Sequence, residues 1–457
     1  MQTFGKYAVL LLLIFVAGCK KEDDLENNNN TNTNNNNNNW NNNNSNNPPP
    51  PSCNDSLLPI VMMHGFLASG DTYAKHYMLF TSNGYCGNRL FAYDWNTLGL
   101  GGGDVNVLDA FIDSVLAQTG ASQINLFGHS AGGGLGYNYL SDATRAAKVA
   151  HYVHIASSTQ SGAAGPNGEI PTLNLWSDGD EVVSGADITG VTNVMIPGID
   201  HYQVATSVES FEEIYKFLNN GEVPQTLTIT QETVPCISGK TLAFGENTPS
   251  TGATVRIFKV NTATGERQSA SPDTTFTTDA SGSWGPFPTQ LNAYYEFEVS
   301  NPAVTNRVVH YYREPFVRTH PLVYLRTLPP ATSLAGLLLS SLPEDDNQTA
   351  LIIFSSNQAV IDTRDELSVD GFELSTSQYA AASKTSIAFF LFDDDGDGQT
   401  SGNTIAAFNL LNQFLAGVDV FFPTTPPGTI SLEFNGRTMN VRNWRSGSDG
   451  VTVPVFD

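Results

Sequence analysis

From about residue 54 to about residue 220, short apolar runs alternate with segments of helical period, and no other feature restricts the fold of this chain as strongly. Strands buried on both faces read as near-continuous apolar runs, and parallel strands need long crossovers. The pattern therefore predicts a mostly parallel sheet covered by helices. The runs at 58–63, 89–94, 123–128, 149–156, 171–177 and 191–197 are placed as its strands. Val105, Leu108, Phe111, Ile112, Val115 and Leu116 recur at helical intervals, with Asp104 as N-cap. Later, Thr206 and Glu209 have capping-box spacing ahead of Phe211, Ile214, Tyr215 and Phe217, which predicts a helix packing one face on the sheet.

Beyond about residue 224 helical patterns nearly vanish. Alternating stretches such as Thr254 to Val260 and Tyr294 to Val299, separated by Gly, Asn, Asp and Pro clusters, predict an all-β region of sandwich or barrel type. Pro329 and Pro330 mark a break between segments 224–330 and 331–457, which are read either as two units or as one continuous domain.

The chain starts differently. Lys6, an apolar run from Ala8 to Ala17, Gly18 and Cys19 form a signal peptide over 1–18, too short to span a bilayer. Its ending resembles a bacterial lipobox, which implies a lipid on Cys19 and a membrane anchor. Lys20 in the next position resembles outer-membrane sorting, so the expected location is the bacterial outer membrane or cell surface, lipid-anchored and extracytoplasmic. Residues 19–52, dominated by Asn and then Pro, cannot bury enough apolar surface to fold and read as a solvated tether to a domain over 53–223. With Cys19 committed to lipid, Cys53, Cys86 and Cys236 remain, an odd number that leaves a thiol free. Cys53 and Cys86 each precede a strand, which makes them the candidate disulfide. The excess of 45 acidic over 21 basic side chains, a net charge of -24, repels phosphate backbones and excludes nucleic acid as a partner.

The chemistry is expected around residue 130. The strand ending at Phe127 runs into Gly128-His129-Ser130-Ala131-Gly132 and then a helix-compatible stretch, the strand–turn–helix context that a G-x-S-x-G elbow requires. Such a turn strains the serine backbone and sets it at a helix N-terminus, where free N–H groups favour a developing oxyanion. In a chain with 40 glycines the motif alone is a weak signal, so the surrounding order matters. His64-Gly65-Phe66 follows the first strand, Asp178 and Asp180 follow the strand ending near Trp176, and His201 follows the last strand. Ser, Asp, His is the chain order of an acyl-transfer triad on this kind of sheet. His64 and His129 are read as structural. Asp180 is favoured over Asp178 because its D-x-x-V pattern lies one turn past the strand end.

At these residues the chain resembles two-domain α/β-hydrolase lipases with a C-terminal β domain, best represented by a hyperthermophilic archaeal lipase. The similarity extends to R-A-A-K-V-A-H at 145–151, H-Y-Q-V-A-T-S from His201, and H-Y-Y-R-E-P-F-V-R at 310–318. It implies the α/β-hydrolase fold, Ser130 and His201 as catalytic, and an oxyanion hole from the N–H groups of Phe66 and Ala131. In the archaeal relative the triad acid aligns with Ala156, which cannot serve, so here the acid has moved to Asp180. The relative's helical lid is also missing, its place taken by Trp95 to Gly103. The acyl groove is then either short and open or covered by the β region, with the apolar runs Leu337–Leu339 and Ala388–Phe392 as candidate lining.

The expected activity is a serine carboxylic-ester hydrolase (lipase or esterase) acting on acyl esters or acylglycerols through an acyl-enzyme, with no cofactor. The rivals are a surface lipid- or glycan-binding lipoprotein on a degenerate scaffold, and a polyester or amide hydrolase sharing the same machinery. Separately, Asp393, Asp395 and Asp397 have the D-x-D-x-D-G spacing of a calcium loop, although position twelve is Thr404 rather than Glu.

Overall fold

A computed structural model describes residues 53–99 and 103–457. The expected signal peptide, tether and lipid-attachment residue Cys19 all lie outside the described residues. Among the described residues no helix is long and apolar enough to cross a membrane.

The N-terminal region is built on β1 (Ile60–Met63), β2 (Leu90–Tyr93), β3 (Ile124–His129), β4 (Val149–Ile155), β5 (Thr172–Trp176) and β6 (Thr192–Met195). These pair in parallel, in the order β2-β1-β3-β4-β5-β6. Every residue of β1 and of β3 is buried, as expected of strands covered on both faces. The covering helices are α1 (Ala74–Ser82), α2 (Val105–Thr119), α3 (Ala131–Leu140), the single turns α4 (Ala143–Ala146) and α5 (Gln203–Thr206), and α6 (Val208–Leu218). Helix α2 starts at Asp104, whose carboxylate accepts from Asn106 N, and buries Leu108, Ile112 and Val115.

The capping box of α6 is not where its spacing put it. Thr206 ends α5 and donates its hydroxyl back to Tyr202 O, so the cap falls to Ser207, which accepts from Ser210 N. The Cys53–Cys86 disulfide is present, with Cα atoms 4.8 Å apart, and joins the chain before β1 to the chain before β2. The expected free thiol is absent: Cys236 is also disulfide-bonded, and no described cysteine is free.

The rest of the chain is strand-rich, with one short helix, α7 (Leu334–Leu339). Its largest sheet has eight strands. Across it run Leu415–Asp419, Ala388–Phe392, Ala350–Ser355, Val451–Phe456, Thr305–Arg313, Tyr295–Asn301, Thr254–Lys259 and Thr274–Thr277. Strands from both sides of Pro329 and Pro330 meet where Thr305–Arg313 pairs with Val451–Phe456, and one core holds Val255, Phe297, Ile352, Phe390 and Val453 together. Sheets of three and four strands complete the region.

The strand-rich region packs on the end of the parallel sheet where β1 and β2 finish. Leu242, Leu322 and Tyr324 share a core with Ile60, Met62 and Phe80. Arg326 pairs with Asp71 at 2.9 Å and Lys240 with Asp94 at 2.6 Å, while Tyr324 OH donates to the same Asp94 carboxylate. Lys240 and the Gly70 N–H hold the Asp94 carboxyl below its ordinary range, although its burial acts the other way and is the largest influence. Partly buried charges paired across a boundary favour the docked arrangement, so both regions build the surface between them.

Candidate active site

In an open parallel sheet, ligands bind beyond the carboxyl ends of the strands at the point where the strand order reverses. Here that point lies between β1 and its neighbours β2 and β3, and the turns after β1 and β3 hold the residues singled out above.

Ser130 joins β3 to α3 with φ 53° and ψ -119°, a conformation that side chains disfavour and that persists only where surrounding contacts fix it. Its N–H donates to Ile155 O at 2.9 Å, and its carbonyl accepts from Ser157 Oγ at 2.7 Å. The elbow fits because its neighbours lack side chains. A Cβ on Gly132 would stand 2.7 Å from the carbonyl oxygens of Met63 and His64, and a Cβ on Gly65 would stand 3.0 Å from Ser130 Cβ. The turn after β1 thus lies directly against the serine. Among the described hydrogen bonds, none is donated by the N–H of Phe66 or of Ala131. Two backbone donors from the two turns are therefore available beside Ser130.

His201 lies in the loop between β6 and α5, only 4% exposed, and its Nδ1 contacts Asp180 Oδ2 at 2.7 Å. A carboxylate can only accept, so Nδ1 carries a proton and Nε2 faces away from Asp180. The other Asp180 oxygen accepts from Val182 N and Val183 N, both at 2.9 Å, which fixes the carboxylate in the loop after β5. Asp178 is exposed and accepts from Gly198 N, tying two loops together without meeting His201. Ser130 and His201 line one small cleft with Phe66, His129, Tyr202 and Phe414.

The other histidines have different duties. His64 is fully buried, its Nε2 accepting from Trp95 N at 3.2 Å, and burial lowers its pKa. His129 contacts His201 O through Nε2 at 3.1 Å, and burial, reinforced by His201, pushes its pKa well down. Both rings are neutral struts at physiological pH.

Several residues of the site escaped sequence reading. Asp200, next to His201, is buried and accepts from Tyr202 N, Gln203 N, Ala359 N and Arg364 Nη1, which locks the histidine loop to the C-terminal region. Burial raises the Asp200 carboxyl, with Arg364 opposing. Thr385, Ile387 and Phe414 close the cleft from the same region, the Phe414 ring 6.1 Å from that of Phe66. Residues so distant in sequence leave no local signal.

A much larger apolar cavity of about 380 Å³ adjoins the cleft, sharing Ala68, Tyr202 and Ile387 with it. Its walls include Leu67 and Leu322, then Leu338 on α7, Phe354, and Leu411 on a 3₁₀ helix, Ala406–Leu411. Of the two candidate lining runs, Leu337 and Leu338 line the cavity. Ala388–Phe392 does not, being a fully buried strand of the eight-stranded sheet. The calcium reading also needs correction: Asp393 and Asp395 come together with Asp419, not Asp397, whose Oδ1 is taken by Gln399 N. This group is the one three-carboxylate cluster among the described residues, and it shares no residue with the cleft.

Comparison with known proteins agrees with this architecture. Residues 59–167 match a family model described as alpha/beta hydrolase fold. The N-terminal region has the α/β-hydrolase fold. Residues 234–330 match the model of the lipase C-terminal domain, and residues 338–457 match a further C-terminal domain model. The chain thus joins an α/β-hydrolase fold to a C-terminal strand-rich region. Solved structures similar to it include an esterase from Rhodococcus sp. ECU1013, 17% identical, covering 37% of this chain and 94% of its own at a TM-score of 0.31. Naproxen esterase from Bacillus subtilis is 14% identical, covering 37% and 86% at a TM-score of 0.29. Aspergillus fumigatus lipase B is 15% identical, covering 38% and 55% at a TM-score of 0.30.

Proposed function

We propose that this hydrolase cleaves carboxylic esters through an acyl-enzyme on Ser130. The 2.7 Å contact between Asp180 and His201, in a cleft shared with Ser130, is the observation that carries the reading. Ser130 Oγ attacks the ester carbonyl while His201 Nε2 takes its proton, and Asp180 stabilises the imidazolium that forms. The N–H groups of Phe66 and Ala131 receive the oxyanion, each contributing roughly 3 kcal/mol. The imidazolium protonates the leaving alcohol, and water repeats the cycle on the acyl-enzyme. None of these steps calls on a cofactor. Reaction with a fluorophosphonate probe tests the assignment: peptide mass spectrometry should find the adduct on Ser130, and a folded protein left unlabelled would refute it.

The substrate class follows from the cavity. At about 380 Å³ it is ligand-sized and apolar, and it shares Ala68, Tyr202 and Ile387 with the cleft, which suits an acyl chain. Leu334, Leu337 and Leu410 among its lining residues are 58%, 62% and 86% exposed, an apolar rim suited to a lipid surface. In this reading the C-terminal region supplies the cover that a lid would otherwise give, and the preferred substrates are long-chain acyl esters or acylglycerols at a lipid surface. Ala335 lines the cavity away from the cleft, so Ala335→Trp should shorten the acyl site and leave the triad alone. Each methylene denied burial is worth about 0.8 kcal/mol. Hydrolysis of a dodecanoyl ester should therefore fall at least about a hundredfold further than that of an acetyl ester, and an equal fall on both would remove the cavity from the acyl path.

A further inference from the structure

The Asp393 loop and the strand beside it bring together carboxylates that share no residue with the cleft. The strands Ala388–Phe392 and Leu415–Asp419 run parallel in a register that pairs Phe392 with Asp419, so Asp393 emerges beside Asp419. The loop then folds around the first aspartate: Gly396 N donates to Asp393 Oδ1 at 2.8 Å, Gly398 N to Oδ2 at 2.8 Å, and Asp397 N to Asp395 Oδ1 at 3.1 Å. One carboxylate oxygen from each of Asp393, Asp395 and Asp419 lies within 4.8 Å of the others. Asp393 and Asp419 are each only 5% exposed.

Asp419 points to a ligand independently of this clustering, because its Oδ1 is buried without any hydrogen-bond partner. Such an atom carries the full cost of desolvation unless something outside the protein meets it. Among the described residues no lysine, arginine or histidine forms an ion pair with Asp419. A donor set made of carboxylate oxygens suits a hard divalent ion, and calcium best.

The pairing also explains the missing glutamate. Thr404, at the twelfth loop position, forms an isolated bridge with Val418, which brings the end of the loop alongside the residue before Asp419. We propose that Asp393, Asp395 and Asp419 bind one calcium ion, with Asp419 supplying from the neighbouring strand the carboxylate that position twelve lacks. The ion would clasp the loop to the strand, and between the two runs the 3₁₀ helix that carries Ala407, Leu410 and Leu411 into the cavity wall.

Calorimetric titration of chelator-treated, full-length protein with calcium chloride tests this directly. One ion should bind per chain, and about 5 mM calcium should raise the melting temperature by about 5 °C. Asp419→Asn, with a native circular dichroism spectrum, should bind at least about tenfold more weakly. Asp395→Asn, at an exposed ligand, provides a second variant and should weaken binding to a similar degree. Absence of binding heat and of a melting shift in the unmodified protein would overturn the proposal, as would undiminished affinity in both variants. An equal melting shift with magnesium would overturn the choice of calcium.

Discussion

Ser130→Ala should lower kcat/KM for p-nitrophenyl acetate by at least about a thousandfold, because the substitution removes the nucleophilic oxygen and nothing else. The elbow is held by the backbone of Ser130, through Ile155 O and Ser157 Oγ, and by the close approach of Gly132 to the turn after β1. Alanine keeps the same Cβ and suffers the same φ of 53°, so neither the turn nor the helix that follows is disturbed. The Phe66 and Ala131 donors also stay in place, which leaves a residual rate above that in water but far below the parent rate. Equal melting temperatures of the two proteins would show that activity was lost without loss of fold. A residual above about one part in a thousand of the parent activity would exclude Ser130 as nucleophile.

The parallel sheet was legible in the sequence because helices cover both its faces. Its strands had to be apolar throughout, and β1 to β6 fall within the six runs placed from sequence, apart from His129 at the end of β3. The elbow was legible for a related reason: its turn tolerates little besides glycine around one serine. Features governed by non-local pairing were not legible. The strand Thr305–Arg313 joins Val451–Phe456 across most of the C-terminal region, and a parallel pairing of that length has no signature in either segment. The residues that close the cleft, Thr385, Ile387 and Phe414, come from the same non-local arrangement. Capping was legible only to within a residue, since Thr206 and Ser207 are both competent caps and the extra turn α5 decides between them. The calcium loop showed its first half, while Asp419, its closing carboxylate, is contributed by register between strands.

The choice between Asp178 and Asp180 belongs to the same class, because two aspartates separated by one glycine cannot be ranked by spacing alone. Geometry ranks them, and the consequence is large. In Asp180→Asn the N–H groups of Val182 and Val183 still demand an acceptor where Oδ1 stood, so the amide oxygen takes that position and the amide nitrogen is turned toward His201. A donor facing Nδ1 selects the tautomer protonated on Nε2, which cannot accept the serine proton. The shape of the site survives while its base is lost, so kcat should fall by about 10³–10⁴-fold with KM little changed. Asp178→Asn keeps an amide oxygen to accept from Gly198 N at an exposed position that makes no hydrogen bond to His201, and should stay within about threefold of the parent. Steady-state kinetics on the two folded variants decides the matter. If Asp178→Asn proved the crippled enzyme and Asp180→Asn the active one, the hydrogen bond to His201 would be a structural tie and the triad would need another acid.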